Sequence, residues 1–310
     1  MIITTFYLAA SFIVLWISTG ISISSIEKLS RRTHVSSFIT SFFVLGLLTS
    51  LSEISVALFS TIDKTPGISV GNLLGASAVL TLFVIPLQVL SSKGLAVNTK
   101  ADYINFPTAY LVISLPVMLI LDGNLSTTDA LFMIVSYIYL LLTISNKGAM
   151  LNNLEQSISH PPLSTFKEAL KLILGSVATI FSSKLIVSNL IVLSKHLNLS
   201  PFVVGLVALS IGTSIPEITI LIRSYIHKNK NVALGDYLGS ASLNIFILGL
   251  LIFANGGNIK ISQGIKYNLL LLPLGAGLFL LFAKNKKFEQ KEALILILLY
   301  IIFVALEFIL

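Results

Sequence analysis

Long stretches in which almost every position is apolar alternate along this chain with short polar segments, and the lengths of the stretches say what they are. About 20 mainly apolar residues make a helix long enough to cross the hydrocarbon of a bilayer. On that rule the sequence predicts ten spans, near 2–23, 36–60, 68–91, 104–121, 128–146, 168–190, 200–223, 231–254, 267–284 and 292–310. The longest interval between spans, 147–167, contains His160-Pro161-Pro162, and adjacent prolines do not continue a helix. It reads as a linker between two units of five spans, residues 1–146 and 168–310. No loop is long enough to hold a soluble regulatory domain.

Composition agrees with an all-α polytopic membrane protein. Mean hydropathy is +0.96 and only 11% of residues are charged, whereas soluble domains carry roughly a quarter. The absence of cysteine excludes a disulfide framework, a thiolate metal site and a cysteine nucleophile. A net charge of +7 could point to nucleic acid, but on a chain of this kind it reflects basic cytoplasmic loops. Segments after spans 1, 3, 5, 7 and 9 hold fifteen of the twenty Lys and Arg residues. That bias predicts both termini outside the cell membrane and the mid-chain linker in the cytoplasm. The first basic residue is Lys28, so Met1–Gly20 reads as a retained helix and not as a cleaved signal.

Within this apolar background two carboxylates stand alone. Glu217 is the only ionisable residue between His196 and Arg223, and Glu53 the only one between His34 and Asp63. They belong to one internal repeat. An offset of 164 residues carries Ser36-Ser37-Phe38 onto Ser200-Pro201-Phe202, Thr49-Ser50 onto Thr213-Ser214, and Glu53 onto Glu217. It also carries Gly71 onto Gly235, Leu74-Gly75 onto Leu238-Gly239, and Ser55 onto Thr219. Five spans is an odd number, so the second copy must enter the membrane upside down, giving two inverted five-helix repeats.

Each half then contains a pair of unusual spans. The first of each pair carries Thr-Ser-x-x-Glu; the second carries Gly71-Asn72-Leu73-Leu74-Gly75 or Gly235-Asp236-Tyr237-Leu238-Gly239. Pro216 removes a backbone donor and frees a carbonyl near Gly212, and the paired glycines permit a bent or broken helix and close approach of neighbours. Carboxylates, hydroxyls and freed carbonyls make an oxygen-only set, which suits a hard cation such as Ca²⁺, Na⁺ or Mg²⁺. Two glutamates balance one Ca²⁺. The bland alternative, two protonated glutamates bonded between helices, leaves their matching positions in the repeat unexplained. Asp236 reads equally well as a ligand or proton acceptor and as a residue reaching water near the membrane face. Asp122 and Asp129 serve a turn and a helix cap, and His160 is loop.

At these residues the chain resembles the calcium:cation antiporter superfamily, in its sodium/calcium exchanger-like branch and the prokaryotic type without a regulatory domain. Gly212-Thr213-Ser214-Ile215-Pro216-Glu217 is similar to that family's G-T-S-[LI]-P-E motif, and Pro66–Asn72 with Gly75 to its paired first-repeat element. The resemblance implies exchange of Ca²⁺ against Na⁺, or in some branches H⁺ or with K⁺, by alternating access. Two outer helices slide past a site between two long motif-bearing helices and two broken ones. Carried over, the metal ligands are Glu53, Glu217, Thr49, Ser50, Thr213, Ser214 and Ser240, with Asp236, Asn72, Asn244 and Ser77 beside them. The chain departs from the pattern at Leu48, Ser52, Ala76, Leu80, Asp236 and Asn244.

These readings imply a secondary active antiporter at a two-glutamate midplane site, with Ca²⁺ and Na⁺ as transported ions. A proton-coupled variant and a non-transporting homologue remain alternatives. No H-E-x-x-H or Asp-rich pyrophosphate motif is present, so the chain is not read as an enzyme. It needs no cofactor. Its expected partners are the lipid bilayer and cations, with no nucleic acid and no obligate protein partner.

Overall fold

Peptide groups cannot stay unbonded in hydrocarbon, so apolar runs of this length close their hydrogen bonds internally as helices. The structure, a computed structural model, describes residues 2–30, 42, 46–92, 94–96, 102–145, 163–197, 199–227, 230–261, 268–283 and 287–309. Ten helical spans follow one another. Span 1 is Ile2–Ser30, and span 2 is built from Gly46–Thr49 and Leu51–Ile62. Span 3 runs over Pro66–Ser91, span 4 over Asp102–Leu119, span 5 over Thr127–Ser145 and span 6 over Leu163–Leu197. Span 7 occupies 201–227, span 8 Lys230–Ala254, span 9 Leu271–Ala283 and span 10 Gln290–Ile309. The linker around His160-Pro161-Pro162 and the predicted start of span 2 at 36–41 lie outside the described residues.

The spans sort into an inner and an outer set. Spans 3, 7 and 8 have 83%, 76% and 78% of their apolar windows buried, against 22% for span 5 and 33% for span 6. The outer spans present Trp16, Phe132, Val135, Ile173, Phe181 and Ile301 to their surroundings, a continuous apolar surface that water would not tolerate and lipid requires. Spans 1 and 6, at 29 and 35 residues, are about 44 and 52 Å long, well beyond the ~30 Å hydrocarbon core. They pack along each other, joined by Ser18 Oγ and Thr179 Oγ1 at 3.0 Å, and must tilt or project beyond the lipid.

The duplication is visible as reciprocal contacts. A Cβ added at Gly75 in span 3 would overlap the carbonyl oxygen of Leu206 in span 7. One added at Gly239 in span 8 would overlap the carbonyl of Phe42, at the start of span 2. The offset of 164 turns each of these pairs into the other, as an approximate two-fold axis between inverted halves demands.

Two expectations need correction. The glycine pairs do not break their helices: span 8 is continuous through Gly235 and Gly239, and span 3 departs from α-helix only later, in a π-helical stretch over Val79–Val84. The breaks fall in the glutamate-bearing spans, at Ser50 (φ −77°, ψ 3°) and Ser214 (φ −84°, ψ 4°). The glycines are needed for backbone approach, and a straight helix serves that better than a bent one. The sequence also gave no sign of two small antiparallel ribbons. Leu95–Ala96 (β1) pairs with Lys287–Phe288 (β4), and Asn124–Ser126 (β2) with Asn258–Lys260 (β3).

Because the space at Gly75 is filled by backbone, Gly75→Ala should destabilise the protein by about 1–3 kcal/mol or more. A lowered apparent Tm in detergent would register this; an unchanged one would contradict the close packing of spans 3 and 7.

Candidate functional site

The two breaks create the site's frame. Each separates a four-residue helical piece, Gly46–Thr49 or Ser210–Thr213, from a half-helix, Leu51–Ile62 or Ile215–His227. All four are paired by the 164-residue offset. A helix N-terminus in the protein interior exposes N–H groups without partners and carries a partial positive charge. Each half-helix places its own carboxylate, Glu53 or Glu217, in that first turn. Ser50 and Ser214 stand three residues earlier, the spacing of a capping box, although Ser50 makes no side-chain capping bond. Pro216 suits the first turn of its half-helix because no N–H is required there. Repeat 1 breaks at the matching residue with Ser52 in that place, so proline is not what makes the break.

Both glutamates are buried, at 1% and 0% exposure. Hydrogen bonds from both repeats converge around them. Thr49 Oγ1 donates to Asp236 Oδ1 at 3.2 Å, and Thr213 Oγ1 to Asn72 Oδ1 at 3.0 Å. These bonds are images of one another under the repeat. Each threonine hydroxyl also faces a carboxylate of the opposite repeat, Thr49 toward Glu217 and Thr213 toward Glu53, and its single proton serves one acceptor at a time. Ser50 Oγ lies 3.0 Å from Ser240 Oγ, and Ser240 donates to Glu217 Oε1 at 3.0 Å.

The structure therefore brings Glu53, Glu217, Thr49, Ser50, Thr213, Ser240, Asp236 and Asn72 into one buried network. Asn244 is fully buried one turn beyond Ser240 on the same face of span 8, and neither atom of its amide has a hydrogen-bond partner. Ser214 Oγ and Glu217 Oε2 are likewise buried without a partner. Ser77 stands apart: its hydroxyl bonds Leu73 O at 2.9 Å and lies 3.4 Å from Ala241 O, joining spans 3 and 8. Ala76 and Leu80, the images of Ser240 and Asn244, are buried and present only carbon to the first-repeat side.

Reading the sequence noted Ser52 only as a departure from proline and missed its contact with Glu53. The Ser52 hydroxyl lies 2.7 Å from Glu53 Oε2 and 3.1 Å from Thr49 O, and donates to the nearer, carboxylate oxygen. The available signal was a hydroxyl next to an otherwise isolated carboxylate.

An unmatched buried polar atom costs about 1–3 kcal/mol, so Ser214 Oγ, Glu217 Oε2 and Asn244 Oδ1 call for a partner. All three are oxygens, the donor type a hard cation takes. Among the described residues no three His, Cys, Asp or Glu side chains gather closely enough to hold a metal ion. A cation here would therefore be shared between the two glutamates and neutral oxygens. Removing the Thr213 hydroxyl should strand Asn72, whose Nδ2 already has no partner. Thr213→Val is expected to destabilise by about 1–3 kcal/mol, whereas Asp236→Asn, which keeps an acceptor for Thr49, should leave the unfolding temperature near the parent's. Equal effects of the two substitutions would contradict this network.

Comparison with known proteins bears on both fold and family. The family model described as sodium/calcium exchanger protein matches the chain twice, over residues 3–145 and 167–309. The chain is 26% identical to an uncharacterised membrane protein of Methanocaldococcus jannaschii over 96% of each chain. It is also 26% identical to the inner membrane protein YrbG of Escherichia coli, covering 88% of this chain and 86% of that one. Among solved structures, the sodium-calcium exchanger NCX_Mj superposes with a TM-score of 0.72 at 23% identity, over 98% of both chains, and shares the ten-helix fold.

Proposed function

Because the chain belongs to the sodium/calcium exchanger family and is a multi-pass membrane cation exchanger, we propose that it exchanges Ca²⁺ for Na⁺ by alternating access at the site between Glu53 and Glu217. The observation that carries this reading is the convergence of two buried carboxylates, one from each inverted repeat, beside buried oxygens without partners. Two carboxylates neutralise one Ca²⁺, while a single Na⁺ leaves excess negative charge in a medium that penalises it. Ca²⁺ and Na⁺ thus compete for the same oxygens, and that competition is what couples their opposite movements. The proposed ligands are Glu53, Glu217, Ser50, Thr49, Thr213, Ser214 and Ser240, with Asn244, Asp236 and Asn72 in support and Ser77 outside the cluster.

The repeats, 1–146 and 168–310, supply one half of the site each. The excess of Lys and Arg after odd-numbered spans supports a cell-membrane topology with both termini outside and the 147–167 linker in the cytoplasm. A second reading, with H⁺ as counter-ion, is favoured by one observation. Ala76 and Leu80 leave the first-repeat side without the oxygens that Ser240 and Asn244 offer on the other, which reduces the room for several Na⁺ at once.

Reconstituted into proteoliposomes, the protein should take up Ca²⁺ when an outward Na⁺ gradient is imposed. Uptake driven by a pH gradient alone would select the second reading, and no flux under any cation gradient from folded protein would make it a non-transporting member. Glu217→Gln should abolish both the flux and the rise in Tm on adding Ca²⁺. Retention of both effects would exclude the two-glutamate site.

A further inference from the structure

If the two halves were equal, shifting the surroundings of one glutamate by 164 residues would return the surroundings of the other. They are unequal in one specific way. Around Glu217 the hydroxyl chain is complete, running from Ser50 through Ser240 to the carboxylate with both steps at 3.0 Å. The image of that chain would run from Ser214 through residue 76 to Glu53. Residue 76 is alanine, fully buried in span 3, and it interrupts the chain.

Two consequences are visible. Ser214 Oγ, the image of Ser50 Oγ, is buried with no hydrogen-bond partner. Glu53, which lacks the donor that Ser240 gives Glu217, receives one from Ser52, 2.7 Å from Oε2. Ser52 stands where the second repeat has Pro216, a residue with neither hydroxyl nor N–H. One hydroxyl is missing from the neighbouring span, and one is present on the glutamate's own half-helix.

We propose that Ser52 is the positioning residue for Glu53, replacing from the same helical turn the hydroxyl that Ala76 withholds. The proposal rests on the reading of Glu53 and Glu217 as cation ligands. The two donors differ in mechanical terms. Ser240 holds Glu217 from span 8, so that bond depends on how spans 7 and 8 lie against each other. Ser52 travels with Glu53, and its bond survives any displacement of span 3. The carboxylate of Glu53 is thereby held in one orientation before a cation arrives, which lowers the ordering cost of binding. The first repeat thus keeps its ligand while its neighbouring span becomes apolar.

Equilibrium Ca²⁺ binding to the purified full-length protein tests this. Ser52→Ala should weaken Ca²⁺ binding about tenfold, the effect of one hydrogen bond to a charged group. Adding Ala76→Ser to that variant should restore most of the loss by supplying the hydroxyl from span 3, and Ser52→Thr should bind like the parent. A role for Ser52 confined to folding would not be rescued from a different helix. Should Ser52→Ala fold poorly, S52P/A76S compared with S52P gives the same readout, since the pair reproduces the second repeat's arrangement. Parent-like binding by Ser52→Ala, or no recovery on adding Ala76→Ser, overturns the proposal. The Glu217→Gln variant separates the two levels. If the parent binds Ca²⁺ and Glu217→Gln does not, the cation site stands whatever Ser52 does. If the parent itself binds no Ca²⁺, the cation reading fails and the role of Ser52 falls with it.

Discussion

A carboxylate placed in the interior of a membrane protein has to be given hydrogen-bond donors by the protein itself, since neither lipid nor bulk water will supply them. Most of the architecture follows from meeting that demand twice. A continuous helix keeps its N–H groups for its own carbonyls and offers a side chain none of them. Interrupting the helix at Ser50 and Ser214 turns the middle of a span into a helix start, whose positive end lies where the glutamate sits. Interruption has its own requirement: the exposed backbone must be enclosed by protein. Spans 3 and 8 provide the enclosure, lying so close that Gly75 and Gly239 meet carbonyl oxygens of the facing repeat. The outer spans then shield that assembly from lipid.

Much of this was legible in the sequence, because the signals were large. An apolar run of about 20 residues has one structural outcome in a bilayer, so the ten spans were readable from hydropathy alone. Glu53 and Glu217 stood out because nothing else near them is ionisable, and the constant offset tied them together. The position of the breaks was not legible. Two candidate causes, Pro216 and the glycine pairs, competed in adjacent spans, and local preference does not decide which helix yields when both are packed. Repeat 1 breaks at Ser50 with no proline nearby, so proline is not required for the break. Ser52 was missed for a related reason. A serine in a helix usually bonds back to its own carbonyls, and Ser52 Oγ is itself 3.1 Å from Thr49 O; only the three-dimensional structure reveals the shorter contact with Glu53.

The two repeats share geometry more closely than they share chemistry. Their breaks, their threonine bonds and their glycine contacts correspond residue by residue, yet polar groups accumulate on the second-repeat side. Span 8 carries Asp236, Ser240 and Asn244 one turn apart on a single face; span 3 carries Asn72, Ala76 and Leu80 in the same places. Span 3 also loosens into π-helix over Val79–Val84, where span 8 remains α-helical. A backbone that is nearly symmetric thus carries a lopsided set of polar groups.

The ribbons say which connections of the molecule are tied to one another. The β1–β4 pair ties the connection between spans 3 and 4 to the one between spans 9 and 10. The β2–β3 pair ties the connection between spans 4 and 5 to the one between spans 8 and 9. Spans 4 and 9 each have one end in either ribbon, so they act as struts between two latches. While both latches stay shut, the ends of spans 3, 4, 5, 8, 9 and 10 that enter them stay side by side. Spans 1, 2, 6 and 7 have no end in either latch; of these, spans 2 and 7 are packed backbone to backbone against spans 8 and 3 at Gly239 and Gly75, whereas spans 1 and 6 lean on each other across Ser18 and Thr179 at the edge of the bundle.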